Sequence, residues 1–355
     1  MKALWIGLIL LFSSLSVRTN EYTIHSFNSE NKLFIITLDG MRWQEIFNGA
    51  DSALLQDETY TLSRNAKALY WAPTREERRK KLMPFFWNVM AQQGELYGNR
   101  HYQNRMNVSN PYALSYPGYN ELLTGNVDLS IFNNGKSYNK NLSVLELLNT
   151  SATYRNKVAA FTSWDAFPYI LNKTKSTVHI NSGYEDITGQ NLSPTETLIN
   201  TIQKEVEDQK NTRYDELTYL ACKEYIQKAK PSVVFLSLGG TDEAAHQKKY
   251  DEYLQQANNA DRMIGELWQF VQTLPEYKGK VTFLITTDHG RGNDKDNWYT
   301  HGLMVSGSSQ TWMGLLGHSI NAVGEHKNKE QLYLKQVKDL MLTILSRQPA
   351  AASMN

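Results

Sequence analysis

Five short runs of apolar residues are the feature that most limits the fold of this chain. They are six to eight residues long, and they do not alternate between apolar and polar positions as a strand with one solvated face does. Runs of this kind are typical of strands in a parallel sheet that helices cover on both faces. The five runs are LFIITL (33–38), KVAAFTSW (157–164), SVVFLSL (232–238), VTFLIT (281–286) and TWMGLL (311–316).

Amphipathic stretches with a helical period lie between and after these runs. They cover residues 193–210, 214–230, 253–272 and 330–347. The first opens with Ser193 or Thr195 as the expected N-cap, and Glu196 follows Ser193 by three residues, as in a capping box. Strands that alternate with helices predict an α/β fold, a doubly wound and mostly parallel sheet flanked by helices. We expect one catalytic domain over 21–355, with an insertion near 51–94 that ends in a packed helix.

The N-terminus resembles a secretory signal peptide over residues 1–20. Lys2 precedes ten apolar residues, which are too few to span a bilayer but suit the central region of a signal, and small polar residues follow. The alternative is a first strand or helix of the core. The pattern predicts an exported protein, periplasmic or secreted, with no stable membrane insertion after signal removal.

Charge and cysteine content exclude several function classes. The net charge is +1 with no basic stripe, which argues against nucleic-acid binding. Cys222 is the only cysteine, so no internal disulfide and no cysteine zinc finger can form. Its helical surroundings predict a small core residue.

Acidic residues and histidines follow three of the apolar runs. Ligands of open parallel sheets bind outside the carboxyl ends of the strands, so these side chains are expected to share one edge of the sheet. Each residue taken alone has an ordinary reading as a turn residue, a helix-surface pair or a structural histidine. The set is Asp39, Asp242, His246, Asp288, His289 and His301.

Three carboxylates and three imidazoles suit Zn²⁺ better than Mg²⁺ or Ca²⁺, which prefer oxygen ligands. Six ligands exceed the needs of one catalytic zinc and predict two Zn²⁺, or another divalent transition metal in their place.

Ser115 is the predicted nucleophile of this site. It lies in SYPGYNELLTG, at a junction between a loop and a helix where free N–H groups favour a phosphate. The alternative is that Ser115 serves only as a helix N-cap. Asn110 and Arg291 are predicted as further catalytic residues that donate to a phosphoryl oxygen, and a surface salt bridge is the alternative for Arg291.

The order of these residues resembles the alkaline phosphatase superfamily over 32–320. The segments TLDGMRW and SYPGYNELLTG are similar to its nucleotide pyrophosphatase/phosphodiesterases, whereas the short gap from Asp288 to His301 is similar to its cofactor-independent phosphoglycerate mutases. Exported bacterial members labelled phosphatase-like are similar throughout. Tyr119 stands where the sulfatase motif requires Arg, which argues against a sulfatase.

The resemblance implies a phosphate ester hydrolase that acts on a small molecule and forms a phosphoserine. It assigns Asp242, His246 and His301 to the first zinc, with His318 as the alternative to His301. The second zinc would take Asp39, Asp288, His289 and the Ser115 oxygen. A mutase-like phosphotransferase and a non-catalytic zinc-binding protein remain alternatives, and monoester or diester preference and oligomeric state stay open.

Overall fold

The computed structural model describes residues 26–207, 209 and 211–348. The predicted signal peptide at 1–20 therefore lies outside the described residues. None of the helices in the described part of the chain combines the length and the apolar character that crossing a membrane requires.

Eleven strands in the described residues form two sheets. The eight-stranded sheet has the order β10-β2-β9-β7-β1-β6-β4-β5, and a small sheet has the order β11-β3-β8. The strands are β1 Lys32–Leu38, β2 Gly94–Tyr97, β3 Asn104–Asn107, β4 Val158–Thr162, β5 His179–Ser182, β6 Val233–Leu238, β7 Val281–Thr286, β8 Gln310–Thr311, β9 Met313–Gly317, β10 Gly324–Glu325 and β11 Glu330–Tyr333.

Helices flank the large sheet and connect its parallel strands. A π-helical turn at Phe86–Met90 and 3₁₀ turns at Arg100–Tyr102 and Leu334–Gln336 accompany them. The α-helices are α1 Trp43–Asn48, α2 Ser52–Leu55, α3 Ala66–Tyr70, α4 Arg75–Leu82, α5 Ala91–Gln93, α6 Ser115–Thr124, α7 Val144–Thr150, α8 Phe167–Ile170, α9 Pro194–Lys204, α10 Asp215–Ala229, α11 Gly240–His246, α12 Tyr250–Thr273 and α13 Val337–Ser346.

The central strands are buried on both faces, as their uninterrupted apolar runs predict. Successive side chains of β1 point to opposite sides of the sheet: Phe34 and Ile36 belong to one apolar core, and Leu33 and Ile35 belong to the other. The predicted doubly wound, mostly parallel sheet flanked by helices is therefore confirmed.

Two predicted elements differ from the structure. The run 311–316 was expected in the parallel set, but β9 pairs antiparallel with β7. The connection 287–309 contains no helix, and a chain that returns without a crossover element enters the sheet in the opposite direction.

The second difference is at the start of the C-terminal amphipathic stretch. Residues 330–333 form β11, which pairs with β3, and only Val337–Ser346 is α-helical. Pairing with a distant strand has overridden the local helical period. The predicted insertion at 51–94 comprises α2 to α5 and the π-helical turn before β2.

Three adjacent strands carry the polar residues that the sequence singles out. The order β7-β1-β6 is parallel throughout, so the carboxyl ends of these strands meet at one edge. Asp39 follows β1, α11 follows β6, and Asp288 with His289 follows β7. The fold thus delivers the predicted ligands to a common rim.

Candidate active site

Asp242, His246 and His301 form the first of two polar clusters at this rim. Asp242 and His246 lie one turn apart on α11, and His246 Nε2 is 3.1 Å from Asp242 Oδ2. His301 Nε2 lies 3.2 Å from His246 Nε2. His301 Nδ1 donates to the Ala113 carbonyl at 3.0 Å, which leaves the lone pair of Nε2 facing the cluster.

Asp39, Asp288 and His289 form the second cluster, which is fully buried. His289 Nε2 lies 3.5 Å from Asp39 Oδ1 and 3.4 Å from Asp288 Oδ2. Those two carboxylate oxygens are buried and have no hydrogen-bond partner among the described residues. Burial, together with the neighbouring Asp288 carboxylate, raises the pKa of Asp39 to about 7, and burial raises the pKa of Asp288 to about 7. A buried pair of this kind needs a proton or a cation between its members.

His289 joins the two clusters. Its Nδ1 donates to the Gly290 carbonyl at 2.9 Å, so its Nε2 lone pair faces the carboxylates. Its ring stacks on that of His301, with the centroids 3.9 Å apart. Burial lowers the pKa of both imidazoles, and that of His301 falls further beside His289 and Arg291. Both rings are therefore neutral and available as ligands at neutral pH.

The residues present fit metal ions. Two orphaned buried carboxylate oxygens converge on one imidazole nitrogen, and two further imidazole nitrogens converge on Asp242. In each cluster the ligand atoms lie within 4.8 Å of one another. Mixed nitrogen and oxygen donors suit zinc and similar transition metals.

Ser115 is the first residue of α6, and the N-cap is Leu114. The alternative reading of Ser115 as a side-chain N-cap is therefore wrong. Its Oγ donates instead to His289 Nε2 at 3.2 Å, beside the second cluster. Gly118 allows α6 to lie close to the loop after β7, because a Cβ at position 118 would lie 2.4 Å from the Asp288 carbonyl oxygen. A side chain there would push α6 and its serine away from the rim.

Gly290, the residue after His289, also lies where two backbone segments approach closely. A Cβ at Gly290 would meet the backbone oxygens of Gln310 and Gly307 at 2.3 and 2.7 Å. Glycine lets the loop after β7 pack against the returning chain, and this holds the His289 ring over the cluster.

The Asn110 side chain makes hydrogen bonds within its own loop. Its Nδ2 donates to Glu121 Oε2 at 3.0 Å, and its Oδ1 accepts from the Ala113 amide at 2.9 Å. These bonds brace the loop before Ser115 against α6. Contact of Asn110 with a phosphoryl group stays a prediction.

Arg291 is 1 % exposed, and its guanidinium donates hydrogen bonds to residues next to both clusters. Its Nε donates to the Gly40 carbonyl at 3.1 Å, its Nη1 to the Tyr299 carbonyl at 2.6 Å, and its Nη2 to Asp242. The surface salt bridge considered from the sequence is wrong, because the guanidinium is buried. A direct contact with substrate stays a prediction.

His318 is at the other edge of the sheet. Its amide donates to the carbonyl of Val281, at the amino end of β7, whereas the clusters lie beyond the carboxyl end. The structure therefore brings His301, and not His318, to the first cluster.

A cleft of about 280 Å³ is lined by Ser115, by Asp242 and His246 of the first cluster and by Asp39 of the second. Sequence reasoning did not single out several residues of its wall, which come from loops, from the end of the run 157–164 and from the segment around Asp242. The Asn133-Asn134-Gly135 sequence is a turn signal, but nothing local connects it with Ser115. The missed lining residues are Asn134, Lys136, Trp164, Asn211, Thr212, Gly239 and Glu243.

Comparison with known families agrees with this arrangement. A model described as the Metalloenzyme superfamily matches residues 31–303, which is most of the chain and includes both clusters and Ser115. A search among curated proteins finds no relative of this sequence.

Several solved structures have a similar fold. The lipoteichoic acid synthase LtaP from Listeria monocytogenes has a TM-score of 0.57 at 12% identity, over 95% of this chain and 77% of that one. Wild-type alkaline phosphatase PafA has a TM-score of 0.56 at 10% identity, over 90% and 96% of the two chains. Murine ectonucleotide pyrophosphatase/phosphodiesterase 5 has a TM-score of 0.53 at 12% identity, over 90% and 96%. These likenesses confirm an alkaline phosphatase-like fold.

Proposed function

The chain belongs to the Metalloenzyme superfamily, and on that premise we propose that it hydrolyses phosphate esters of small molecules, with Ser115 as nucleophile and two zinc ions as cofactors. The observation that carries the proposal is the contact of Ser115 Oγ with His289 at 3.2 Å, beside two clusters of carboxylate and imidazole ligand atoms. The similarity of the fold to alkaline phosphatase PafA and to a phosphodiesterase supports the reaction class.

Asp242, His246 and His301 are the proposed ligands of one zinc. Asp39, Asp288 and His289, with the Ser115 oxygen, are proposed for the other. When bound, the two ions would supply positive charge for the phosphoryl oxygens and make the serine hydroxyl more acidic. Another divalent transition metal with the same ligand preferences is compatible with this donor set.

Ser115 performs the covalent step in this proposal. Its Oγ releases its proton to solvent water and attacks phosphorus, and the new Oγ–P bond forms as the bond to the leaving oxygen breaks. The leaving oxygen then gains a proton, and water hydrolyses the phosphoserine to release phosphate. Because Ser115 opens the ten-residue helix α6, the positive end of that helix faces the transferred group.

Asn134 is a second candidate for contact with the phosphoryl group. It lines the cleft with Ser115, and its Oδ1 accepts from the Tyr116 amide at 3.0 Å. That bond turns the amide so that Nδ2 remains available as a donor next to the nucleophile. We also infer export of the protein, on the strength of the signal-like residues 1–20.

The test uses the protein produced with its own N-terminus, stripped with a chelator and reloaded with zinc, manganese or magnesium. We expect two equivalents of zinc and zinc-dependent hydrolysis of p-nitrophenyl phosphate or bis-p-nitrophenyl phosphate, in clear excess over p-nitrophenyl sulfate. Full activity in chelator with no bound metal contradicts the proposal. Zinc binding without turnover of any ester indicates the non-catalytic alternative, and transfer to an added alcohol in preference to water indicates the phosphotransferase.

A further inference from the structure

The cleft over the clusters continues along the edge of the sheet. Strands β4 and β5 lie next to β6, and all three are parallel, so their carboxyl ends extend the same rim. A second, more open cavity of about 500 Å³ lies there. We call it the outer groove and define it by Lys136, Tyr138, Asp165, Tyr169, Lys173 and Glu185.

Lys136 lines both the cleft and the outer groove. Its Nζ is 2.7 Å from Asp165 Oδ2, and the two side chains are 39% and 35% exposed. An ion pair this exposed contributes little stability, so a ligand can replace it at small cost. The Lys136–Asp165 ion pair therefore lies where the cleft meets the outer groove, and a ligand can displace it.

The loop that carries Lys136 is anchored to the residue after the nucleophile. The Tyr116 amide donates to Asn134 Oδ1 at 3.0 Å, and the Tyr116 hydroxyl donates to the Ser137 carbonyl at 2.6 Å. Lys136 lies between these two anchor points. Its position relative to Ser115 is therefore set by the fold, and a substrate held by this loop would be aligned with the nucleophile.

The outer groove offers ring faces and balanced charges. The rings of Tyr138 and Tyr169 lie 4.9 Å apart, and Tyr138 is 47% exposed. Lys136 pairs with Asp165, and Lys173 pairs with Glu185, so neither sign of charge dominates. Asp165 Oδ1 is buried and has no hydrogen-bond partner among the described residues.

The tyrosine rings and paired charges of the outer groove favour some leaving groups of the ester over others. An acyl chain would remove water from two exposed ion pairs, and a strongly charged group of either sign would meet a member of like charge in each pair. A sugar presents C–H faces that pack on tyrosine rings and hydroxyls that both donate and accept.

We propose that the outer groove binds a neutral, polyhydroxylated leaving group of the ester cleaved at Ser115, namely a sugar. The proposal rests on the proposed function and adds the substrate class: a sugar phosphate whose phosphate occupies the cleft. The sugar lies beyond Lys136, along the carboxyl ends of β4 and β5.

The test compares kcat/KM for glucose 6-phosphate, ethyl phosphate and octyl phosphate, which are all esters of primary alcohols. We expect the zinc-loaded protein to prefer glucose 6-phosphate over ethyl phosphate by at least about tenfold, with most of the difference in KM. Tyr138→Ala should reduce that preference to about one. Tyr333→Ala, an exposed tyrosine on β11 in the small sheet, is the matched control and should keep it.

Equal kcat/KM for the sugar and ethyl esters, or a preference for octyl phosphate, overturns the proposal, as does a preference that Tyr138→Ala leaves unchanged. If the wild-type protein hydrolyses none of the three esters and neither p-nitrophenyl phosphate nor bis-p-nitrophenyl phosphate, the proposed function has failed by itself. Calorimetry of glucose 6-phosphate and ethyl phosphate binding then tests the groove. Tighter binding of the sugar ester that is lost in Tyr138→Ala supports the groove, and equal affinities overturn it.

Discussion

Arg291 donates from Nη2 to Asp242, and this contact links the two ligand clusters through one buried guanidinium. The same side chain donates to the carbonyl of Gly40, next to Asp39, and to that of Tyr299, two residues before His301. Arg291 is therefore a positioning residue for three ligand-bearing segments that are far apart in the chain. Groups that orient metal ligands in this way tune metal affinity.

Replacing Arg291 with lysine should weaken zinc binding about ten- to a hundredfold. Lysine keeps the charge but cannot make three fixed hydrogen bonds in one plane. The measurement is a zinc titration against a competing chelator, followed by turnover at excess zinc, which should restore most of the activity. Arg262→Lys, on the exposed face of α12, is the matched control. Unchanged zinc affinity with a lost kcat would instead favour the predicted contact of Arg291 with the phosphoryl group.

Ser115→Ala should lower kcat on the order of 10³-fold or more and leave zinc content close to that of the wild type. The hydroxyl contributes little packing, but it would form the bond to phosphorus. Substrate added at mildly acidic pH, followed by peptide mapping, should locate a phosphoryl group on Ser115. Ser115→Thr should retain part of the activity because it keeps the hydroxyl. Near-normal turnover of the alanine variant would show that water attacks the ester directly.

His246→Ala should remove about one of the two zinc ions and reduce turnover by about a hundredfold or more. His246 is half exposed on α11, so its truncation leaves the core intact. His318→Ala, at the opposite edge of the sheet, is the control and should keep both ions. Loss of zinc from the His318 variant, with full zinc in a His301→Ala variant, would reverse the ligand assignment.

Asp261 should make the protein less stable as the pH rises from about 4 to 7. Its carboxylate accepts from the amides of Phe85 and Phe86, but burial raises its pKa to about 7. An unfolded chain ionises aspartate near pH 4, so in this window the unfolded state binds fewer protons and the free energy of unfolding falls with pH. The stabilisation that comes from the raised pKa of Asp261 is complete below the pKa of the unfolded state and is lost above the pKa of the folded state.

The check is urea unfolding of wild type and Asp261→Asn at several pH values in chelator. The asparagine variant lacks one acceptor, so its free energy of unfolding should be lower than that of the wild type near pH 4.5. The difference between the two free energies should narrow or reverse by pH 8. Asp296→Asn, at an exposed position, should follow the wild type throughout. Parallel curves for Asp261→Asn and wild type would show that Asp261 is ionised in the folded protein.

The sequence by itself determined the elements whose signals are local. Doubly buried strands appear as continuous apolar runs, and β1, β4, β6 and β7 lie where those runs predict. The capping box at Ser193 and Glu196 is present, with Ser193 accepting from the Glu196 amide. Because the carboxyl ends of adjacent parallel strands meet, the same runs also indicated which acids and histidines would converge.

Only the tertiary structure decided contacts between segments that are distant in the chain. It brought His301 rather than His318 to the first cluster, since β9 runs antiparallel to β7 and carries His318 to the far edge. It buried Arg291 against Asp242 and Gly40, and it placed Lys136 on the wall of the cleft that Ser115 lines, in a loop that two hydrogen bonds of Tyr116 hold. Periodicity records which face of an element is buried, whereas the partner on that face depends on packing across the whole sheet.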